Sequence, residues 1–117
     1  MDSETLLLET LAPMGYPVKL QGSFSENDKY PDNFFTYWMD DSADGNHYDN
    51  EAVAVNDYIS LYFYSTSPNN AYECIRQAKK LLKKQGFIVS GNGYNAYSGK
   101  DTHVGKALDL IYQEREV

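Results

Sequence analysis

Asp40 to Glu51, DDSADGNHYDNE, sets oxygen-bearing side chains at the spacing of a calcium loop, with Asp40, Ser42 and Asp44 at positions one, three and five, Gly45 at six and Glu51 at twelve. Hard oxygen ligands at alternating positions, a glycine for the sharp turn and a terminal bidentate carboxylate are what that ion requires. The flanks do not suit it. Both read as strands where an EF-hand needs amphipathic helices, His47 stands where a branched apolar residue is usual, and there is no second copy of the motif. A solvated hairpin loop is the favoured reading. Calcium binding through Asp40, Ser42, Asp44 and Glu51, in a small interaction module, is kept as the alternative function.

The remaining candidates are weaker. Gly91-Asn92-Gly93-Tyr94-Asn95-Ala96 follows a strand and matches the G-x-G-x-x-G/A pattern, but no amphipathic helix comes after it to aim its N-terminus at a pyrophosphate, so a turn or bulge is expected. His47, His103 and Cys74 are too few soft ligands for a zinc site in one chain. Ser98, Asp101 and His103 lie close in sequence, yet no nucleophile elbow marks Ser98, and a hydrogen-bonded loop histidine is the commoner arrangement. Lys79, Lys80, Lys83 and Lys84 could touch phosphates, but without interleaved aromatics they read as a solvated helix face. No catalytic residue and no cofactor site is assigned, and the chain is read as a non-enzyme.

The elements that must position these residues are organised around Ser67 to Gly86. Ser67 is a good N-cap and Pro68 fits the first helical position. Ala71, Cys74, Ile75, Ala78, Leu81 and Leu82 form one apolar stripe, which places Cys74 in a core. Arg76, Gln77 and the lysines lie opposite, and Gly86 stops the helix. Upstream, Asp2 or Ser3 caps a short helix with Leu6, Leu7, Leu8 and Leu11 on one side, closed by Gly15. Strands are expected over Val18 to Gly22, Asn33 to Met39 and Ala52 to Ser65, the last with a bulge or break at Asn56-Asp57. An acidic loop, Asp40 to Asn50, separates the second from the third. In the third, Ile59, Leu61 and Phe63 face one way and Tyr58, Ser60, Tyr62 and Tyr64 the other. After the central helix come a short strand Phe87 to Ser90, a glycine- and asparagine-rich connection Gly91 to Gly99, and a last strand Val104 to Gln113. The order is αβββαββ. It predicts a single α+β domain spanning 1–117, a mostly antiparallel sheet of about five strands with two helices packed on one face.

A chain of 117 residues supports one core. Its formal charge of −7 disfavours general attraction to nucleic acid or anionic membrane. With no basic-plus-apolar leader and no apolar run of membrane-spanning length, an intracellular protein is expected. Eleven tyrosines suit both half-buried strands and protein interfaces, and a tyrosine-bearing sheet face left uncovered would invite another chain.

Several stretches, taken in order along nearly the whole chain, carry a resemblance: Gly15-Tyr16-Pro17, Gln21-Gly22-Ser23, Tyr30 to Trp38, Tyr48-Asp49-Asn50, Tyr62 to Ser65, Leu81 to Phe87 and Thr102 to Asp109. Together they resemble small head–tail morphogenesis proteins from prophages of Gram-positive bacteria, similar to tail terminator or tail completion proteins. The resemblance implies an α+β subunit that forms a hexameric ring on the end of a finished tail tube, with the tail-tube protein and the head connector as partners. It implies assembly in the host cytoplasm and residence in the virion; on grounds of charge, no specific nucleic acid and no membrane is expected as partner. Ring closure needs two different contact surfaces on each subunit. The aromatics chosen for an interface are Tyr37, Trp38, Tyr62 and Tyr64, residue types whose truncation most often weakens binding.

Overall fold

The computed structural model describes residues 3–21, 31–44, 55–96 and 102–114, with the backbone alone at 41–44, 55 and 114. Helix α1 (Ser3–Leu11) and a 3-10 turn (Ala12–Met14) lead into β1 (Val18–Leu20), β2 (Asn33–Asp44) and β3 (Val55–Ser65); helix α2 (Pro68–Lys84) then precedes β4 (Ile88–Ala96) and β5 (Val104–Glu114). The strands form one sheet in the order β1-β2-β3-β5-β4. Only β1 runs parallel to its neighbour; the other pairings are antiparallel. This is the expected α+β fold, and both helices pack on one face of the sheet. Among the described residues no helix is long and apolar enough to cross a membrane.

Helix α2 forms where its caps place it. Ser67 Oγ accepts from Asn70 N–H at 3.3 Å, and at the far end Gly86 N–H donates to Lys83 O and Phe87 N–H to Leu82 O. Its apolar stripe, Ala71, Cys74, Ile75, Ala78 and Leu82, is buried against the inward residues of the strands. Those are Phe35 and Tyr37 on β2, Ile59, Leu61 and Phe63 on β3, and Leu108 and Leu110 on β5. Leu7 and Leu11 of α1 complete the same core. Phe35 and Phe63 meet with ring centroids 4.6 Å apart at its centre. Each such side chain taken from water contributes about 1.5–3 kcal/mol, which is why one face of the sheet is enough to hold the fold.

Four sequence readings need correction. Strand β1 stops at Leu20; Gln21 lies in a turn with its N–H on Tyr37 O, and Gly22 lies outside the described residues. Asp40 to Asp44 are strand, not loop, because their backbone pairs with β3 as far as Asp44 opposite Val55; the rest of the expected loop lies outside the described residues. Pairing overrides the poor strand preference of Asp and Ser. The irregularity expected at Asn56-Asp57 sits across the ladder instead, between Met39 and Ser42, where Asp40 and Asp41 both stand opposite Tyr58. Asp57 stays in register with Tyr112, and its buried carboxylate accepts from Ser3 Oγ at 2.7 Å, fastening the start of α1 to β3.

The fourth correction concerns Gly91 onward, which continues β4 through a bulge. Ser90 pairs with Asp109 and Tyr94 with Ala107, so three residues of β4 stand against one of β5. Gly91 and Gly93 take φ of +67° and +99°, which residues with a Cβ rarely adopt. Lys79 of α2 donates to Gly91 O and, at 2.7 Å, to Asn92 Oδ1, so the bulge is tied to the helix.

A second close approach gives a test of the sheet. A Cβ on Gly105 would lie 2.7 Å from both Ala96 O and Tyr64 Cε1, because the Tyr64 ring rests on this glycine of the neighbouring strand. Gly105→Ala should lower unfolding stability by about 1–3 kcal/mol in urea denaturation. An unchanged midpoint would mean that Tyr64 does not rest there.

Candidate functional site

The two-residue period of β3 sends Ile59, Leu61 and Phe63 into the core and turns Tyr58, Ser60, Tyr62 and Tyr64 to the opposite face. Register then assembles that face. Phe34, Thr36 and Trp38 of β2 stand beside Tyr64, Tyr62 and Ser60, while Gly105, Ala107, Asp109 and Ile111 of β5 flank the same strand on its other side. Tyr94 and Ile88 of β4 follow next to Ala107 and Ile111. Both described helices lie on the other side of the sheet, and this face is uncovered by any described element.

The face is graded along the strands. One end is closed: Tyr64 is buried on Gly105, Phe34 lies against it with centroids 5.3 Å apart, and the His103 ring meets Phe34 edge-on at 5.8 Å. Tyr62 stacks on Tyr64 at 6.2 Å and 8° and is half-buried. The Thr36 hydroxyl beside it is buried without a hydrogen-bond partner among the described residues, an arrangement that weakens a fold by about 1–3 kcal/mol relative to a paired hydroxyl. Toward the other end the side chains come out into solvent. Trp38 is 50 % exposed, Tyr94 49 %, Ile88 56 % and Tyr58 37 %, values high enough to leave most of one side of each ring or chain available for contact. Where β1 ends, a hollow of about 270 Å³ opens between Glu4, Leu20, Trp38 and Met39 and continues the apolar surface around the edge of β2.

Two carboxylates stand among these rings. Ser60 Oγ donates to Asp40 Oδ2 at 2.8 Å, and Tyr94 OH donates to Asp109 Oδ1 at 3.0 Å; both aspartates are exposed. Burial, then the hydrogen bond and negative charge of Asp109, push the Tyr94 phenol up to about 12, with the Tyr62 and Asp40 charges adding to the effect. At neutral pH it therefore stays protonated and serves as a donor, not as a base. Rings and carboxylates so placed can bind a cationic, partly apolar surface.

Of the four aromatics chosen for an interface, Trp38 and Tyr62 belong to this face. Tyr37 does not. Adjacent residues of a strand point to opposite faces, so Tyr37 lies in the core, its hydroxyl donating to Glu4 Oε2 at 2.7 Å. Burial and the Glu4 carboxylate push its phenol up to about 12. Tyr64 points outward but is covered at the closed end, so it too has little to offer a partner. Tyr58, visible in the alternation of β3, is exposed on this face. Tyr94 and Asp109 come from pairing that spacing alone does not reveal.

The metal and nucleophile candidates fare differently. Asp40, Ser42 and Asp44 lie on β2, and Glu51 lies outside the described residues. Among the described residues no three His, Cys, Asp or Glu side chains converge as a metal site would need. Ser98, Asp101 and His47 also lie outside them. His103 bridges Pro31 O, to which Nε2 donates at 2.8 Å, and Thr102 Oγ1, 2.8 Å from Nδ1. Cys74 is buried, its Sγ 3.5 Å from Asn70 Oδ1. The glycines of the G-x-G-x-x-A stretch serve the β4 bulge against Ile75.

The raised phenols set a pH dependence. A group held near 12 when folded and near 10 when unfolded binds its proton more tightly in the native state, so its stabilising contribution is complete below about pH 10 and lost as pH rises through about 12. Absorbance titration should show a phase near pH 12 that is reduced by Tyr37→Phe and reduced again when Tyr94→Phe is added. If neither substitution changed the titration near pH 12, the Glu4 and Asp109 contacts would be wrong. Compared with models of known protein families and with curated proteins, the chain matches none.

Proposed function

We propose that this is a non-enzymatic assembly protein whose working surface is the uncovered sheet face centred on Trp38, Tyr58, Tyr62 and Tyr94. The observation that carries the reading is the exposure of Trp38, Tyr58, Tyr94 and Ile88 on a face that no described helix covers. Large rings immobilised on a sheet lose little entropy when a partner covers them, and they release ordered water in doing so. A monomer that kept them bare for no purpose would carry a standing aggregation hazard.

The resemblance of the chain to prophage head–tail morphogenesis proteins gives this assembly a setting. The protein acts as a tail terminator or tail completion factor, forming a ring at the end of the tail tube and joining the tail to the head connector. It assembles in the host cytoplasm and remains in the virion. A mixed α+β subunit with one covered and one uncovered sheet face has the two distinct surfaces that ring contacts need.

The test is the double variant Trp38→Ser with Tyr58→Ser, compared with wild type by light scattering coupled to size exclusion, alone and mixed with the tail-tube protein. Truncating two interface anchors should weaken association by about tenfold or more. Both side chains are only partly exposed, so circular dichroism must first establish that the variant is folded under the conditions of the comparison. Undiminished association of a folded variant would remove this face from the function.

A further inference from the structure

We infer that the partner of the sheet face is the outward side of α2 on a second copy of the chain, so that copies join head to tail. The inference rests on the reading that the sheet face is a docking surface and names its occupant.

The two surfaces are complementary. On the sheet face, the carboxylates of Asp40 and Asp109 lie among exposed rings, a combination that favours guanidinium and ammonium groups. The outward side of α2 offers those groups: Arg76, Lys80, Lys83 and Lys84 are exposed, and Glu73 is the single carboxylate of the helix. The helix also brings apolar area. Tyr72 is 44 % exposed, with Arg76 Nη1 donating to its hydroxyl at 3.0 Å and the guanidinium carbon 5.3 Å from its ring centroid. Beside it a hollow of about 340 Å³ is lined by Glu73, Arg76, Gln77 and Lys80. Lys79 is absent from this set, being turned back onto the β4 bulge.

Charge on the whole chain sharpens the choice. Copies carrying a net −7 repel one another, and a contact between two of them needs opposite signs brought together locally. Two sheet faces set against each other would pair aspartates with aspartates. The sheet face and α2 lie on opposite sides of the molecule, since α2 packs its apolar stripe on the inner face; neither surface can therefore satisfy the other within one chain. The contact is heterologous, and each copy keeps one surface free to continue it.

Charge exchange tests this on the full chain by sedimentation velocity. Asp109→Lys makes the sheet face more basic, and Lys80→Glu with Lys83→Glu makes the helix acidic. Each variant alone should self-associate roughly tenfold or more weakly than wild type. An equimolar mixture should regain wild-type association, because every contact between unlike variants again joins opposite charges. Circular dichroism establishes that each variant is folded. A wild-type chain that stays monomeric at high concentration, a helix reversal without effect, or a mixture that fails to recover would each overturn the inference. Trp38→Ser separates this from the broader reading. If that change abolishes binding to self or tail tube while helix reversal does nothing, the sheet face docks elsewhere and only the α2 assignment falls; if neither matters, both fall.

Discussion

Strand β3 is hydrogen-bonded on both sides, to β2 and to β5, and the alternation of its side chains governs the rest of the molecule. Odd residues from Ile59 to Phe63 must be apolar because two helices are packed on them. Even residues then point the other way, where no described helix lies. The same alternation, carried by register to Trp38, Asp109 and Tyr94, makes the outward face what it is. Core and outward face are thus two sides of one constraint, and a slip of one residue in β3 would exchange them.

Two devices keep the outward face from collapsing on itself. At the closed end, Gly105 lets the Tyr64 ring lie flat, and Phe34 and His103 cover its surroundings, so the apolar surface there is removed from water within the monomer. At the open end Asp40 and Asp109 interrupt the rings with charge. An acidic interruption favours solubility and would select the sign of the partner proposed for this face. The β4 bulge, held by Lys79 from α2, aims Tyr94 at Asp109 and so links the helix side of the fold to the surface it does not touch.

Much of this was legible in the residues. Ser67, Pro68 and the Ala71 to Leu82 stripe specify α2, and the alternation of Tyr58 to Tyr64 specifies both faces of β3, because caps and periodicity are local properties. Misreadings arose where long-range pairing decides. Asp40 to Asp44 have loop-forming side chains, yet β3 supplies their backbone partners; Gly91 and Gly93 look like a connection, yet β5 draws them into a bulged strand. Strand period alone places Tyr37 on the core side, opposite Trp38, while the burial of Tyr64 depends on Gly105, far away in sequence. The pairing of Tyr94 with Asp109 had no local signal.

Trp38 reports without any label on whether the sheet face left open by the described elements is the surface that assembles, because it is the sole tryptophan of the chain. The most direct measurement is Trp38 emission and acrylamide quenching followed from dilute monomer to assembled complex. A solvent-like emission that shifts to the blue and becomes protected from quencher as scattering rises is the expected result. Assembly that leaves the emission and quenching of Trp38 unchanged would contradict the claim, because the partner surface would then lie elsewhere.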